Sequence, residues 1–201
     1  MLERQTFPEA AQVLAVVDRH RAQRKAGRVS EQPAEDTNRK QRPSAESRDE
    51  ARARQHGCVR SVAVVLARLI TFGIEAIAPL PVTVEVDLRT GLPAFTIVGR
   101  GDASVRESRE RVHAAILNAG FAFPARRVTV NLAPAHVRKI GPGFDLAIAC
   151  GVLAASAQVP AEALARWAVF GEVSLGGELR PCRGALAVAE GARRAGLPGL
   201  I

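Results

Sequence analysis

A glycine-rich loop, Lys139–Asp145 (KIGPGFD), is the segment whose residue types best suit binding chemistry. It leads into a nearly all-apolar stretch from Phe144 to Ala157, which predicts a deeply buried helix. Backbone N–H groups at the start of a helix attract anions, so this loop is a candidate anion site. We expect Asp145 to cap the helix with its carboxylate.

No nucleotide-hydrolysing motif accompanies this loop. The phosphate-binding loop of ATPases has the pattern GxxxxGK followed by Ser or Thr, and none of Lys25, Lys40 and Lys139 follows a glycine. The run Gly99–Ser104 begins like a dinucleotide-binding loop, but it lacks the third glycine and is a weak signal. We therefore expect no ATP hydrolysis by this chain.

The spacing of cysteine and histidine residues predicts neither a metal site nor a disulfide framework. Cys58, Cys150 and Cys182 lie far apart, and the sequence contains no CxxC pair or Cys/His cluster. The four histidines share no neighbourhood in the sequence, so no Ser/His/Asp arrangement can be argued. Unpaired cysteines suit a reducing compartment, and we expect a cytoplasmic protein in which Cys150 is a small core residue.

Positive charge is the main indication of a partner. The chain has a formal net charge of +8, which suits contact with nucleic acid. Two basic pairs, Arg126-Arg127 and Arg138-Lys139, flank one predicted strand at its opposite ends. These four residues are candidate contacts for DNA or for a partner domain. The alternative is that they are solvated surface charges.

Apolar residues are concentrated in the second part of the chain. Between residues 18 and 57 the only large aliphatic or aromatic residue is Val29, so we expect residues 1–64 to be a basic and largely disordered extension, with a short amphipathic helix at 3–17. The longest apolar run, residues 61–82, is interrupted by Arg68 and Glu75 and broken by glycine and proline. It predicts one or two buried strands rather than a membrane span.

From residue 65 onward the hydrophobic pattern predicts an α/β domain with a mixed sheet and packed helices. The clearest strand, Pro81–Leu88, alternates apolar and polar residues with period two. Gly120 is expected to end the first helix as a left-handed cap, and the charged residues from Arg106 to Arg111 are expected to be solvated. The predicted strands are 65–74, 81–88, 94–98, 128–132, 167–175 and 178–180, with the start of another at 199–201, and the helices are 103–119, 144–157 and 184–195.

Four blocks of this domain resemble the N-terminal domain of the ComM/YifB family of magnesium-chelatase-like AAA+ proteins. The resemblance covers roughly residues 65–201, and residues 1–64 match nothing in that family. Two loop positions depart from the family pattern: Arg100-Gly101 stands where Leu-Pro is usual, and Ile140 stands where an acidic residue is usual. The blocks are VEVDLRTGLPAFTIVG (84–99), SVRESRERVHAAILNAGFAFPARRVTVNLAPA (104–135), GPGFDLAIACGVLAAS (141–156) and FGEVSLGGELRPCRGAL (170–186).

The resemblance implies a fold like the Lon protease domain, within the ribosomal-protein-S5 domain-2-like superfamily. In Lon-type peptidases the loop equivalent to 139–145 carries a nucleophilic serine, and a lysine base comes from the helix after the final hairpin. The matching motifs place Gly143 at the serine position and Leu186 at or next to the lysine position. Neither side chain can supply the chemistry of a Ser–Lys dyad.

The resemblance also implies a parent protein that is a hexameric AAA+ motor, which in ComM-type members is a DNA branch-migration helicase of natural transformation. Residues 65–201 are then a non-catalytic accessory domain, cut off before the ATPase module that would bind ATP and Mg. We expect this chain to bind no cofactor or metal, to form no defined hexamer and to end in an unfinished strand. In the parent, its partners would be the AAA+ module and the ring subunits.

Two other functions remain open from the sequence. One is a free-standing basic nucleic-acid-binding protein whose N-terminal extension does the binding, which deletion of residues 1–64 would test. The other is a divergent Lon-like peptidase, for which Ser104, Ser156 and Ser174 are the candidate nucleophiles.

Overall fold

The computed structural model describes residues 66–201. The predicted helix at 3–17, the predicted disorder of the N-terminal extension and Val65 lie outside the described residues. The elements in chain order are β1 (Leu66–Glu75), β2 (Ala78–Arg89), β3 (Ala94–Val98), α1 (Ala103–Asn118), β4 (Arg127–Ala133), α2 (Asp145–Ala155), α3 (Ala161–Ala165), β5 (Glu172–Val173), β6 (Leu179–Arg180) and α4 (Ala185–Arg194).

The predicted mixed sheet is confirmed. Its strand order is β1-β2-β4-β3, with β1–β2 and β2–β4 antiparallel and β3–β4 parallel. The parallel pair is joined by a crossover through α1, as a parallel connection requires. Strand β2 alternates as its sequence predicts, with Val82, Val84, Val86 and Leu88 buried. The main core therefore lies between this face of the sheet and helices α1 and α2.

Helix α2 is buried on nearly all sides, as its apolar sequence predicts. It approaches the sheet so closely that a Cβ atom on Gly151 would come within 2.6 Å of Val86 Cγ2. A glycine at this position allows the helix to contact β2 directly. Helix α2 is preceded by a single 3₁₀ turn at Pro142–Phe144 and ends two residues earlier than predicted.

Helix α1 buries one apolar stripe and ends as predicted. Val105, Val112 and Ile116 are buried, and Gly120 has φ +98°. The Phe121 N–H donates to the Ile116 carbonyl at 3.1 Å, which closes the helix by the glycine-based capping pattern. Asp102 begins the helix, and its carboxylate accepts from the Val105 N–H at 2.9 Å.

The strand predicted over residues 167–175 is divided into two short pieces. Ala168 pairs in parallel with both Ile70 of β1 and Leu200, so residues 168–170 continue the sheet beyond β1. The Ile201 N–H donates to the Ala168 carbonyl at 2.8 Å, as expected for a strand beginning at 199–201. The division occurs because the Gly171 N–H donates to the Gly143 carbonyl at 2.8 Å instead of to a strand. The second piece is β5, which pairs with β6.

Helix α4 covers the other face of the sheet beside β1. Leu69 belongs to the main core, whereas Phe72, three residues later, belongs to a second cluster with Val188 and Ala192 of α4. The helix α3 was not predicted from the sequence. No helix within residues 66–201 has the length and apolar character needed to cross a lipid bilayer.

Candidate functional site

The glycine-rich loop is held rigidly against the segment that precedes α1. The Lys139 N–H donates to the Arg100 carbonyl at 2.9 Å, and the Asp102 N–H donates to the Lys139 carbonyl at 3.0 Å. The second carboxylate oxygen of Asp102 accepts from the Gly141 N–H at 3.1 Å. Asp102 therefore caps α1 and fastens the glycine-rich loop at the same time.

These contacts argue against the predicted anion site. The Gly141 N–H is occupied by Asp102, the Asp145 N–H donates to the Pro142 carbonyl, and the Leu146 N–H donates to the Gly171 carbonyl at 3.0 Å. In addition, the carboxylate of Asp145 already lies in the first turn of α2. A carboxylate there satisfies the positive end of the helix that an anion would otherwise neutralise.

Asp145 does not cap α2 with its side chain, which corrects the sequence-based expectation. Its carboxylate is fully buried and accepts a hydrogen bond from the Ser108 hydroxyl. It also accepts from Arg111, through Nε at 2.8 Å and Nη2 at 3.1 Å. Because a buried carboxylate must be paired, these two residues of α1 attract it away from the backbone of its own helix.

Arg111 was expected to be solvated and is instead part of this buried cluster. Its side chain is 22% exposed, and Nη2 also donates to the Ser104 carbonyl at 2.9 Å. The hydrogen bond to Asp145 is the main cause that raises the pKa of Arg111, and burial opposes the rise. The cluster of Ser108, Arg111 and Asp145 thus joins α1 to the start of α2.

A cleft of about 380 Å³ opens beside the glycine-rich loop. Its walls carry aromatic and aliphatic side chains, one carboxylate, one guanidinium and one thiol, including Phe72, Ile74, Phe170, Glu172, Cys182 and Arg183. Gly143 lines the cleft, and a Cβ atom there would overlap the ring of Phe170 and lie 3.2 Å from Cys182 Sγ. The position that the resemblance assigns to a serine is therefore occupied by the Phe170 ring.

The position that the resemblance assigns to a lysine lies outside the cleft lining. Leu186, in the first turn of α4, is 86% exposed. It is absent from the residues that line the cleft, which include the nearby Arg183. The lining contains no lysine, and Cys182 is its only side chain with a hydroxyl or thiol that could act as a nucleophile.

The electrostatics of the cleft do not activate Cys182. Burial is the main cause that raises the pKa of the Cys182 thiol, and the carboxylates of Glu172 and Asp145 add to the rise. A thiolate is the nucleophilic form of cysteine, so a raised pKa makes this thiol less reactive. Cys150, the predicted core cysteine, is buried in α2, and burial raises its pKa to about 12.

The four candidate contact residues do not form one surface. Arg126 and Arg127 are exposed at the start of β4, and Arg138 is exposed beyond its other end. Lys139, in contrast, is fully buried, and its ammonium donates to the Pro134 carbonyl. Burial lowers the pKa of Lys139 and removes it from any surface contact, which corrects its place among the four.

Comparison with known proteins identifies the class of protein to which this architecture belongs. The sequence pattern of the family described as subunit ChlI of Mg-chelatase matches residues 84–201, more than half of the chain. The chain therefore belongs to this magnesium-chelatase-like family, and relatives of the YifB and ComM type share it. The predicted resemblance is confirmed at the level of the family.

Individual relatives agree with this assignment. The protein YifB of Salmonella typhimurium is 47% identical over 116 residues, which are 58% of this chain and 23% of YifB. The competence protein ComM of Haemophilus influenzae is 46% identical over 126 residues, which are 63% of this chain and 24% of ComM. A protein of Mycobacterium tuberculosis strain H37Rv is 38% identical over 138 residues. The chain thus spans about a quarter of the length of these relatives.

Proposed function

We propose that residues 65–201 are a non-catalytic accessory domain of a magnesium-chelatase-like AAA+ protein of the ComM/YifB type. The observation that carries the proposal is the cleft at Gly143, where the Phe170 ring fills the serine position and Leu186 lies outside the lining. Asp102 fixes the geometry of the loop that would carry a nucleophile. The loop has glycine at that position and therefore no side chain that could attack a substrate. A cleft with no lysine, whose one thiol has a raised pKa, suits a domain that serves another module.

The parent protein in this proposal is an ATP-dependent DNA branch-migration helicase acting in natural transformation. The printed name of the Haemophilus influenzae relative, competence protein ComM, supports the physiological setting. ATP and Mg would bind in the ATPase module of the parent, and the partners of this domain would be that module, the ring subunits and DNA. A cytoplasmic location follows from that role and from the cysteine usage.

A chimera tests the proposal. Residues 84–201 of this chain replace the matching segment of Haemophilus influenzae ComM, and a ComM variant lacking that segment is the control. DNA-dependent ATP hydrolysis is measured for both proteins and for the isolated chain. We expect the chimera to hydrolyse ATP, the deletion variant to be impaired and the isolated chain to be inactive. A folded chimera that is no more active than the deletion variant would contradict the proposal.

A further inference from the structure

Three aromatic rings meet on the surface at the free edge of the sheet. Phe95 of β3 and Phe123 have ring centroids 5.1 Å apart, and the His113 ring of α1 lies 4.5 Å from that of Phe123. His113 is exposed, and both phenylalanines are partly exposed. The chain contains only seven phenylalanines, and most of those in the described residues are buried or line the cleft. Phe95 and Phe123 pack partly against the main core and expose the rest of their rings beside His113.

A shallow depression lies beside the rings. It has a volume of about 180 Å³ and is lined by Phe95, His113, Arg109 and Glu110. Its walls thus combine two aromatic faces with one guanidinium and one carboxylate. The carboxylate is occupied, because Glu110 Oε1 lies 2.8 Å from Arg109 Nη2.

An arginine without an ion-pair partner among residues 66–201 immediately precedes β4, beside the start of β3. The Ala94 N–H donates to the Arg126 carbonyl at 3.4 Å, so Arg126 lies beside the residue that precedes Phe95. Arg126 is exposed and forms no ion pair within residues 66–201. Arg127 is the next residue and is followed by Val128, which faces the core. Because side chains alternate along a strand, Arg127 lies on the face of the sheet opposite to Val128.

We propose that Phe95, His113, Phe123, Arg109 and Arg126, the edge patch, bind single-stranded nucleic acid. Stacking of unpaired bases on aromatic side chains, with arginines along the phosphate backbone, is how proteins hold single strands without reading their sequence. The charge complementarity favours this occupant over an apolar peptide, because the unpaired cation is Arg126. The inference rests on the proposed function in that a domain of a DNA-acting motor would meet unpaired strands.

The test is fluorescence anisotropy with the full 201-residue chain. The probes are labelled oligo-dT and oligo-U strands of about 16 nucleotides and a dA·dT duplex of equal length. Ring variants are Phe95→Leu/Phe123→Leu and His113→Ala, with His136→Ala as a control on an exposed histidine in the loop after β4. The charge variant is Arg109→Gln/Arg126→Gln, and Arg193→Gln/Arg194→Gln on α4 removes the same charge elsewhere. The N-terminal extension is identical in every variant, so its own charge cancels from the comparison.

We expect the ring variants to raise the Kd for single strands about fivefold or more and to leave duplex binding nearly unchanged. The arginine variant should weaken binding to all probes and reduce the salt slope by about one to two, while both controls remain at the parent value. Equal losses in the two arginine pairs, or equal effects of the rings on duplex and single strands, would overturn the proposal. So would a protein dimer, detected by size exclusion, that the ring variants abolish, because the edge patch would then bind a second copy.

The two experiments measure strand binding and the accessory role separately. Anisotropy with the edge-patch variants reports on strand binding alone. The ComM chimera reports on support of ATP hydrolysis and uses the unaltered domain. A chimera that works together with an edge patch that binds no strand would leave the accessory role in place and remove only the strand-binding surface.

Discussion

Arg111 of α1 donates through Nε to Oδ2 of Asp145, the first residue of α2, at 2.8 Å. The carboxylate that receives this bond is fully buried, and the guanidinium is mostly so. The pair therefore connects the crossover helix α1 to the first residue of α2, next to the loop that lines the cleft. Asp145 directly follows the 3₁₀ turn at Pro142–Phe144, which contains Gly143.

Breaking the pair from one side should be costly. Arg111→Met leaves a buried carboxylate with only the Ser108 hydroxyl as a side-chain donor, and we expect a loss of about 3 kcal/mol in the free energy of unfolding. The double variant Arg111→Met/Asp145→Leu should recover part of the loss. Urea unfolding of the two single variants and the double variant measures the coupling. Arg109→Met, at an exposed ion pair, is the control and should change stability by less than about 1 kcal/mol.

Lys139 should contribute little stability despite its burial. Its ammonium has the Pro134 carbonyl as acceptor, and no carboxylate within residues 66–201 forms an ion pair with it. Replacement of a desolvated charge by an apolar side chain of similar length is often neutral or stabilising. We expect Lys139→Met to melt at or above the parent temperature and to leave nucleic-acid binding unchanged. A large loss of strand binding without unfolding would show that the amine reaches the surface.

Cys150 should make the domain sensitive to alkaline pH. Its pKa is raised to about 12 by burial, whereas an unfolded cysteine titrates near about 8.5 to 9. A raised folded-state pKa contributes stability that is complete below the unfolded value and is lost as pH rises toward the folded value. Between about pH 9 and 11 the parent should lose about 2 kcal/mol more than Cys150→Ala. Parallel stability curves for the two proteins would contradict this expectation.

Gly143 should be intolerant of a side chain. The Cβ atom of Gly143→Ala would overlap the Phe170 ring, and we expect a cost of about 1–3 kcal/mol from this overpacking. Gly176→Ala is the matched control, because its Cβ would meet only Ser174 Oγ, at 3.6 Å, and Gly176 has no positive φ. Addition of Phe170→Leu should restore part of the stability lost in Gly143→Ala. Thermal melts of the four variants provide the measurement.

Local patterns predicted most of the strands and helices correctly. The alternation along β2 and the cap at Gly120 depend on neighbouring residues, and both are found as predicted. Residues 167–175 were predicted as one strand because apolar sequence does not show that the Gly171 N–H turns to the Gly143 carbonyl. The short helix α3 carries too few residues to give a periodic signal.

The candidate site was less predictable because its interactions join distant parts of the chain. Asp145 contacts Arg111 and Ser108, which are more than thirty residues away in the sequence. Local sequence patterns cannot predict contacts between residues that far apart. Lys139 is buried although its neighbour Arg138 is exposed. The sequence alone does not show which of two adjacent basic residues is buried. The sequence analysis did not single out Asp102, although an aspartate just before a helical pattern is a frequent N-cap and would have been a local signal for it.

Catalysis by the purified 201-residue chain is the most direct test of a non-catalytic role. ATP hydrolysis and cleavage of an unfolded protein substrate are followed across a size-exclusion peak, with Cys182→Ala and Gly143→Ser/Leu186→Lys as companions. We expect no turnover from any of these proteins, because Leu186 lies outside the cleft lining and the thiol pKa is raised. Turnover of either substrate that coelutes with the chain would contradict the non-catalytic assignment, and its loss in Cys182→Ala would place it at the cleft.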